Sequence, residues 1–558
     1  MTEMTEDDLL WFRDAIFYEV PIKSFYDSNN DGIGDIKGLT LKLDYIKDLG
    51  VDCIWLLPFY KSPLMDDGYD IADYYGILPE YGTLDDFREL LQEAHARNIR
   101  VIADLVMNHV SDQNQWFKEA KTDRNSPKRD WFVWSDTTDR YREARIIFKD
   151  TETSNWAWEP NTKQYYWHRF YSHQPDLNYD NPDVREEILN VIRFWLEMGI
   201  DGFRCDAVPY LYKREGTNCE NLPETHLFFK EVRRMVDSEY PGRILLAEAN
   251  QWPTEAKKYF GDQDEFHMAF NFPLMPRIFI SLAQGSVYPI VNIINDTIPI
   301  PEKCDWAVFL RNHDELTLEM VSDDERDFMY NEYAKNPKMK LNLGIRRRLA
   351  PLVDNDRSTL ELLHALIFSI PGCPVLYYGD EIGMGDNIYL GDRNGVRTPM
   401  QWSYDRNAGF SRADPEQLYS PVIMSPVYHY ENRNVESESR LPTSLLNWIK
   451  KMIRVRKKFS KLMGRGTIRF LETKNRKVLA FVREYEGEKI LCLYNISRLP
   501  TYLELDLSEF RGLNPKEAIT DTPFPQIGEL PYFFTFPPRS FYWMSLRDGG
   551  GDEAGDSQ

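Results

Sequence analysis

From about residue 15 to about residue 460, short β-branched or aromatic runs alternate with longer stretches of helical period. The runs are Ala15–Val20, Cys53–Leu57, Val101–Val106, Gly202–Cys205, Ile244–Ala247, Phe266–Phe270, Ala307–Leu310 and Pro374–Tyr378. Between them, Asp183–Met198 carries Val184, Ile188, Val191, Ile192, Trp195 and Leu196 as one apolar stripe, and Gly199 follows as a C-terminal stop. Thr83 with Asp86 reads as a capping start for a helix over Leu84–Asn98. Repeated strand–helix units signal an α/β fold with a parallel sheet, and eight of them are the number of a (β/α)8 TIM barrel.

The rhythm breaks in three places. Residues 110–179 have little helical period and many aromatic, Asn, Thr and Pro residues, so an inserted domain is expected after strand 3, overhanging the rim. Residues 315–372 are a long connection that predicts a helical lid. From 466 to 547 alternating strands such as Lys477–Glu484, Lys489–Tyr494, Thr501–Leu505 and Ser540–Leu546 predict a C-terminal antiparallel β domain, a β-sandwich. Residues 1–109 and 180–460 then form the catalytic barrel, and the acidic, Gly-rich 548–558 reads as a disordered tail.

The 558 residues include 67 basic and 89 acidic ones, a formal charge of −22 that repels phosphate backbones and anionic lipid. Nucleic acid and membranes are therefore not expected partners. The start, MTEMTEDDLLWF, has no basic region followed by an apolar one, and no stretch approaches the roughly 18 apolar residues of a span, so a cytoplasmic protein is expected. The six cysteines are scattered without metal-like pairing and are expected buried and reduced. Aromatics at 14% suit the stacking of pyranose rings, though they equally suit a large core.

Three of the predicted strands share a grammar. Asp201-Gly-Phe-Arg-Cys-Asp206, Ile244-Leu-Leu-Ala-Glu248 and Val308-Phe-Leu-Arg-Asn-His-Asp314 are apolar runs that deliver a carboxylate at their carboxyl ends. A parallel barrel places its chemistry at that rim, and paired carboxylates there are the machinery of glycoside cleavage. Asp206 beside Arg204 is expected to have a depressed pKa and stay ionised, as a nucleophile must. Glu248, after an apolar strand and facing other carboxylates, is expected to be protonated, as an acid must.

Together with Asp104-Leu-Val-Met-Asn108-His109 and Gln174-Pro-Asp-Leu-Asn178, these segments resemble, in order, the motifs of the α-amylase glycoside hydrolase family, and the resemblance spans nearly the whole chain. It implies Asp206 as nucleophile, Glu248 as general acid/base and Asp314 as the residue holding the sugar hydroxyls, with retention through a covalent glycosyl-enzyme when the two carboxyls stand about 5–5.5 Å apart. It also implies a sugar site made with Asp66, Tyr69, His109, Gln174, Arg204 and His313, with Tyr69 stacking under the ring and Asp66 closing the pocket after one glucose. Arg393 either pairs with Asp66, binds the same hydroxyls, or makes a simple loop ion pair. Ala207, after the nucleophile, is similar to members acting on α-1,4 bonds.

Asp27, Asn29, Asp31, Ile33 and Asp35 place oxygen ligands at alternate positions around a glycine, as hard-cation loops do, although position twelve is Gly38 rather than Glu. By resemblance this loop binds a structural Ca²⁺ or Mg²⁺, and no organic cofactor is expected. A second family metal site would use Asn108, Asp176 and the backbone of Tyr210 and Leu211, but its acidic partner falls on Lys213.

Hydrolases, transferases and isomerases share this fold, so the reaction must come from pocket and lid. The segments Trp11–Gly38, Glu215–His226, Glu265–Pro276 and Gly344–Leu352 resemble family members that interconvert maltose and trehalose by letting released glucose turn within a water-tight chamber. An intramolecular transglucosylation with minor hydrolysis is the expectation; a retaining α-1,4-glucosidase is the alternative. A third reading is a non-catalytic binding subunit like the transporter heavy chains that keep this barrel, but those lack the carboxylates and carry a span. Whether the chain forms a homo-oligomer or meets a separate maltose kinase stays open.

Overall fold

The computed structural model describes residues 5–547; the expected tail at 548–558 lies outside them. Eight parallel strands close into a barrel: β1 (Phe17–Val20), β2 (Cys53–Leu56), β3 (Arg100–Val106), β4 (Gly202–Asp206), β5 (Ile244–Ala247), β6 (Met268–Phe270), β7 (Asp305–Phe309) and β8 (Cys373–Tyr377). Each pairs with its neighbours in sequence, and β8 returns to β1 through Phe17 opposite Val375. The strands are buried on both faces by the packed interior and the helices outside, which is why they read as apolar runs rather than as alternating patterns.

The helices start and stop where their chemistry dictates. Thr83 and Asp86 form a reciprocal capping box ahead of Leu84–Ala96. Pro182–Met198 begins with Asn181 capping the amide of Asp183 and ends at Gly199, whose φ of 114° no side-chain-bearing residue adopts cheaply.

Residues 110–179 carry a helix, Gln115–Ala120, and a small antiparallel sheet of Trp134–Ser135, Gln164–Trp167 and Trp156–Glu159. Leu177 donates its amide to Asn108 O (2.9 Å), so the segment leaves and rejoins the barrel beside β3. The stretch 315–372 differs from the expected helical lid. Its first half holds one helix, Asp323–Tyr333, beside a three-stranded sheet of Leu316–Thr317, Gly344–Ile345 and Lys340–Leu341. Its second half contains Arg357–Ile367, whose buried Leu360, Leu363 and Leu366 make it a helix of the barrel's outer layer. Strands of two residues are too short to show a period, and that hid the sheet.

The C-terminal residues form a five-stranded antiparallel sheet in the order Thr467–Phe470, Val478–Tyr485, Glu488–Asn495, Phe541–Arg547 and Asn514–Glu517, covered by the pair Thr501–Leu505 and Tyr532–Phe536. Alternation divides its side chains. Val482, Leu491, Leu493 and Met544 pack with Leu503 and Phe534 between the sheets, whereas Phe481, Ile490, Cys492, Tyr494 and Trp543 join the core of the barrel. All six cysteines are free and buried, as expected.

Candidate active site

At the carboxyl end of the barrel one buried guanidinium organises three carboxylates. Arg204 lies in β4 opposite Asp104 of β3, which fixes its approach to that residue. Its Nη1 donates to Asp104 Oδ1 (2.6 Å) and to Asp206 Oδ1 (2.6 Å), and its Nη2 meets Glu248 Oε1 (2.5 Å). Glu248 follows β5 directly, and its other oxygen accepts from the amide of Ala207 (3.0 Å). Ala207 is left-handed, with φ of 51°, a conformation that costs a non-glycine residue of order 1–3 kcal/mol and is found at functional turns.

Charges here follow from burial and from neighbours. Burial pushes Glu248 up to about 8; Arg204 opposes it, while Asp206 and Asp314 reinforce it. Burial also raises Asp206, against Arg204, so the expected depressed pKa is not what the surroundings produce: desolvation of a largely buried carboxyl outweighs an arginine shared with two other acids.

A second set of cations surrounds Asp314. Its Oδ1 accepts from Arg393 Nη1 (2.9 Å) and Arg397 Nη2 (3.0 Å), and its Oδ2 faces His313 Nε2 (3.1 Å). Burial works against its charge, yet His313 and Arg393 hold it well below the usual carboxylate range. Arg393 also donates Nη2 to Asp66 Oδ1 (2.6 Å), the ion pair that was one of three readings of this arginine. Burial nevertheless raises Asp66 to about 7, with Arg393 opposing.

The remaining predicted residues converge on the same space. Tyr69 stacks on His313 at 5.4 Å with 8° between the rings, and its hydroxyl bonds Asp104 Oδ2 (3.0 Å). Gln174 donates to Asp66 Oδ2 (2.8 Å), and His109 Nε2 meets Tyr69 O (3.1 Å). Burial drives His109 down to about 4, so its ring is neutral near pH 7.

Asp66, Tyr69, His109, Asp206, Glu248, Asp314 and Arg393 line one cavity of about 120 Å³. Sequence reasoning missed its apolar wall of Ile147, Phe148, Phe170 and Phe272, and its polar far side of Asn250, Glu315, Thr317 and Glu319. The wall residues sit in irregular segments without period. Glu315 and Glu319 flank Leu316–Thr317 and had a signal only in their closeness to Asp314.

The 110–179 segment is tied to the 315–345 segment beside the cavity wall that Glu319 lines. Arg145 donates to Glu319 Oε2 (3.0 Å) and to Glu220 Oε1 (2.9 Å), and Asp150 accepts the amide of Asn342 (2.8 Å). Asn250 reaches Thr317 Oγ1 and Glu319 Oε2, both at 3.2 Å.

The predicted metal loop lies away from this cavity. Asp27 accepts from the amides of Asn29 (3.1 Å), Asn30 (2.6 Å) and Gly32 (2.9 Å) and from Ser411 Oγ (2.5 Å). Asp31 Oδ1 takes the amide of Ile33 (2.9 Å), and Asp35 takes those of Ser28 (2.8 Å) and Gly38 (2.7 Å). Hard oxygen donors suit Ca²⁺ or Mg²⁺, and such amide bonds leave each carboxylate further lone pairs. Among the described residues, however, no group of three or more His, Cys, Asp or Glu is gathered as a metal cage. Where the resemblance implied a second metal with Asn108 and Asp176, the ammonium of Lys213 lies among the oxygens. Lys213 Nζ sits 2.8 Å from Asp176 Oδ2, 3.1 Å from Leu211 O and 3.3 Å from Leu177 O.

Among the described residues no helix is long and apolar enough to cross a membrane. The family profile "Alpha amylase, catalytic domain" matches residues 20–466, and "Maltogenic Amylase, C-terminal domain" matches 468–543. The chain is 59% identical to "Trehalose synthase/amylase TreS" of Mycolicibacterium smegmatis, covering 97% of this chain and 93% of that protein. It is 56% identical to "Trehalose synthase" of a Pimelobacter species, covering 96% of each. Among solved structures, the trehalulose synthase MutB of Pseudomonas mesoacidophila is similar with a TM-score of 0.78 at 27% identity, over 96% of this chain and 99% of that one. The profile match runs from the first barrel strand to the edge of the C-terminal sheet, over the same carboxylates that Arg204 gathers, and the chain belongs to the α-amylase family.

Proposed function

We propose that this chain interconverts maltose and trehalose by intramolecular transfer of a glucosyl unit, with minor hydrolysis to glucose. Identity above one half to proteins named trehalose synthase supports the substrates. The observation that carries isomerisation over hydrolysis is the tie between the two inserted segments: Arg145 holds Glu319, which lines the cavity, and Asp150 accepts from Asn342, contacts that would restrain opening of the cavity to water, whose entry would turn transfer into hydrolysis.

In this reading Asp206 attacks C1 of the non-reducing glucose while Glu248 gives its proton to the glycosidic oxygen, which leaves as the 4-hydroxyl of free glucose. A covalent β-glucosyl-enzyme results. The freed glucose turns inside the chamber, and its anomeric hydroxyl gives its proton back to Glu248 as its oxygen attacks C1 and displaces Asp206. Two inversions give net retention and the α,α-1,1 bond. The chemistry asks for one carboxyl protonated and one not: Glu248, raised to about 8, keeps its proton near neutrality, and Asp206, though also raised by burial, has the Arg204 guanidinium against it. Asp314, held ionised, takes the sugar hydroxyls together with His109 and His313, and Asp66 with Arg393 closes the glucose subsite.

The loop Asp27, Asn29, Asp31, Ile33 and Asp35 is proposed to hold Ca²⁺ or Mg²⁺ in a structural role, on the strength of its alternating oxygen donors. Chelation followed by calcium addition should raise the melting temperature; an unchanged melt would remove the metal from the account.

The test of the main reading is to follow maltose with the pure protein by proton NMR of the anomeric signals. A growing trehalose signal with little free glucose is expected, and replacing Asp206 with Ala should abolish it. Glucose alone would make the protein a retaining α-glucosidase.

A further inference from the structure

We propose that Glu19, on β1 inside the barrel, is a positioning residue that fixes the ring and the second proton of His313, and through them the carboxylate of Asp314. This rests on the role given to Asp314 above. Glu19 is a fully buried acid in the middle of the apolar strand Phe17-Tyr-Glu-Val20, a placement that is costly without a partner. Its partner is the rim histidine. Glu19 Oε1 lies 2.5 Å from His313 Nδ1 and 3.2 Å from the His313 amide, so one oxygen holds both ring and backbone. Glu19 Oε2 has no hydrogen-bond partner among the described residues, so nothing else in them orients this carboxylate.

With the Nδ1 proton committed to Glu19, Nε2 is turned toward Tyr69 Oη (2.8 Å) and Asp314 Oδ2 (3.1 Å). The result is a carboxylate–imidazole–carboxylate line running from the barrel interior to the sugar site. Other groups face it from each side. Asp104 on β3 adds negative charge, the Trp55 ring on β2 stands at 5.7 Å edge to face, and Arg397 donates Nε to His313 O (2.8 Å). Near β8, Tyr377 and Asp380 lie within the field of Glu19. Burial opposes a charged ring, but Asp314 and Glu19 together carry His313 up to about 9.

Arg393 and Arg397 hold one oxygen of Asp314, and the imidazolium holds the other. Without the Glu19 charge, His313 loses its second proton at a lower pH. The ring is then neutral, and its bond to Asp314 Oδ2 loses its charge assistance.

The experiment compares Glu19→Gln, which keeps shape and acceptor but drops the charge, with Glu19→Asp, which keeps the charge on a shorter arm. For Glu19→Gln, kcat/KM on maltose should fall about tenfold to a hundredfold, the range typical of lost outer-shell partners. The ¹⁵N titration of His313 should move from about 9 to lower pH, a readout separate from the rate limb that Glu248 sets near 8. Glu19→Asp should recover part of the rate and of the His313 titration. The unaltered protein gives a check that needs no variant: His313 must be doubly protonated at pH 7 by its ¹⁵N shifts. A neutral His313 there, or a Glu19→Gln protein with an unmoved His313 titration whatever its melting temperature, overturns the proposal. An active Asp314→Asn protein would instead overturn the role of Asp314 itself.

Discussion

Arg204 is one cation set against Asp104, Asp206 and Glu248, and an uneven count of that kind cannot ionise fully in a buried site. The proton retained near neutrality is assigned to Glu248, which burial lifts to about 8. Catalysis should therefore weaken as the pH rises through about 8, because the acid that must protonate the leaving oxygen is then already ionised. Glu248→Gln should remove that limb and cost about 10²–10⁴-fold on maltose, the usual worth of general acid–base catalysis. With α-glucosyl fluoride, whose leaving group needs no proton, the same variant should still form the glucosyl-enzyme, detectable by mass spectrometry. A Glu248→Gln protein equally crippled on the fluoride would mean that the glutamate is not the acid. The three rim carboxylates were legible because each ends an apolar run. Arg397, which bonds both Asp67 and Asp314, was not singled out, since an arginine in an irregular loop carries no sign of what it will reach. Glu19 had left a clue, an acid within a run of apolar residues, that went unread.

All eight barrel strands were readable, with bounds shifted by at most two residues, because a strand covered on both faces must be apolar throughout. The small sheet made by Leu316–Thr317, Lys340–Leu341 and Gly344–Ile345 was not, since its pairing is decided by tertiary contact rather than by local pattern. Between these extremes lies the stretch after β4, where the sequence flagged Lys213 as out of place for a metal and the fold explains it. The ammonium stands among the oxygens of Asp176, Leu177 and Leu211, a fixed cation carried on the chain itself. Lys213 is 6% exposed and Asp176 0%, so deleting one partner strands the other in a dry site. Lys213→Met should cost about 3–5 kcal/mol in urea unfolding, and adding Asp176→Asn should return a measurable part of it. Simple additivity of the two changes would mean that the pair is not coupled.

Across the whole molecule, the segments 110–179 and 315–345 come from separate loops of the barrel and meet through Arg145 and Asp150. Arg145→Ala should loosen that meeting and raise the ratio of glucose to trehalose several-fold while leaving cleavage of maltose largely intact. An unchanged ratio would place the barrier to water elsewhere. The C-terminal sheet bears on the molecule differently. Trp543 Nε1 donates to Tyr494 Oη (2.7 Å), that hydroxyl reaches Ala365 O (3.0 Å), and Arg483 reaches Ser369 O (2.5 Å), so strands of the sheet are bonded to the barrel's own helix and the turn after it. Phe481, Ile490 and Cys492 lie in the barrel's core. Calorimetry should accordingly show one unfolding transition rather than two. A chain trimmed at residue 466 would be a vessel without its base, exposing a hydrophobic floor that was never shaped for water, and it should collect in inclusion bodies rather than survive as a smaller enzyme.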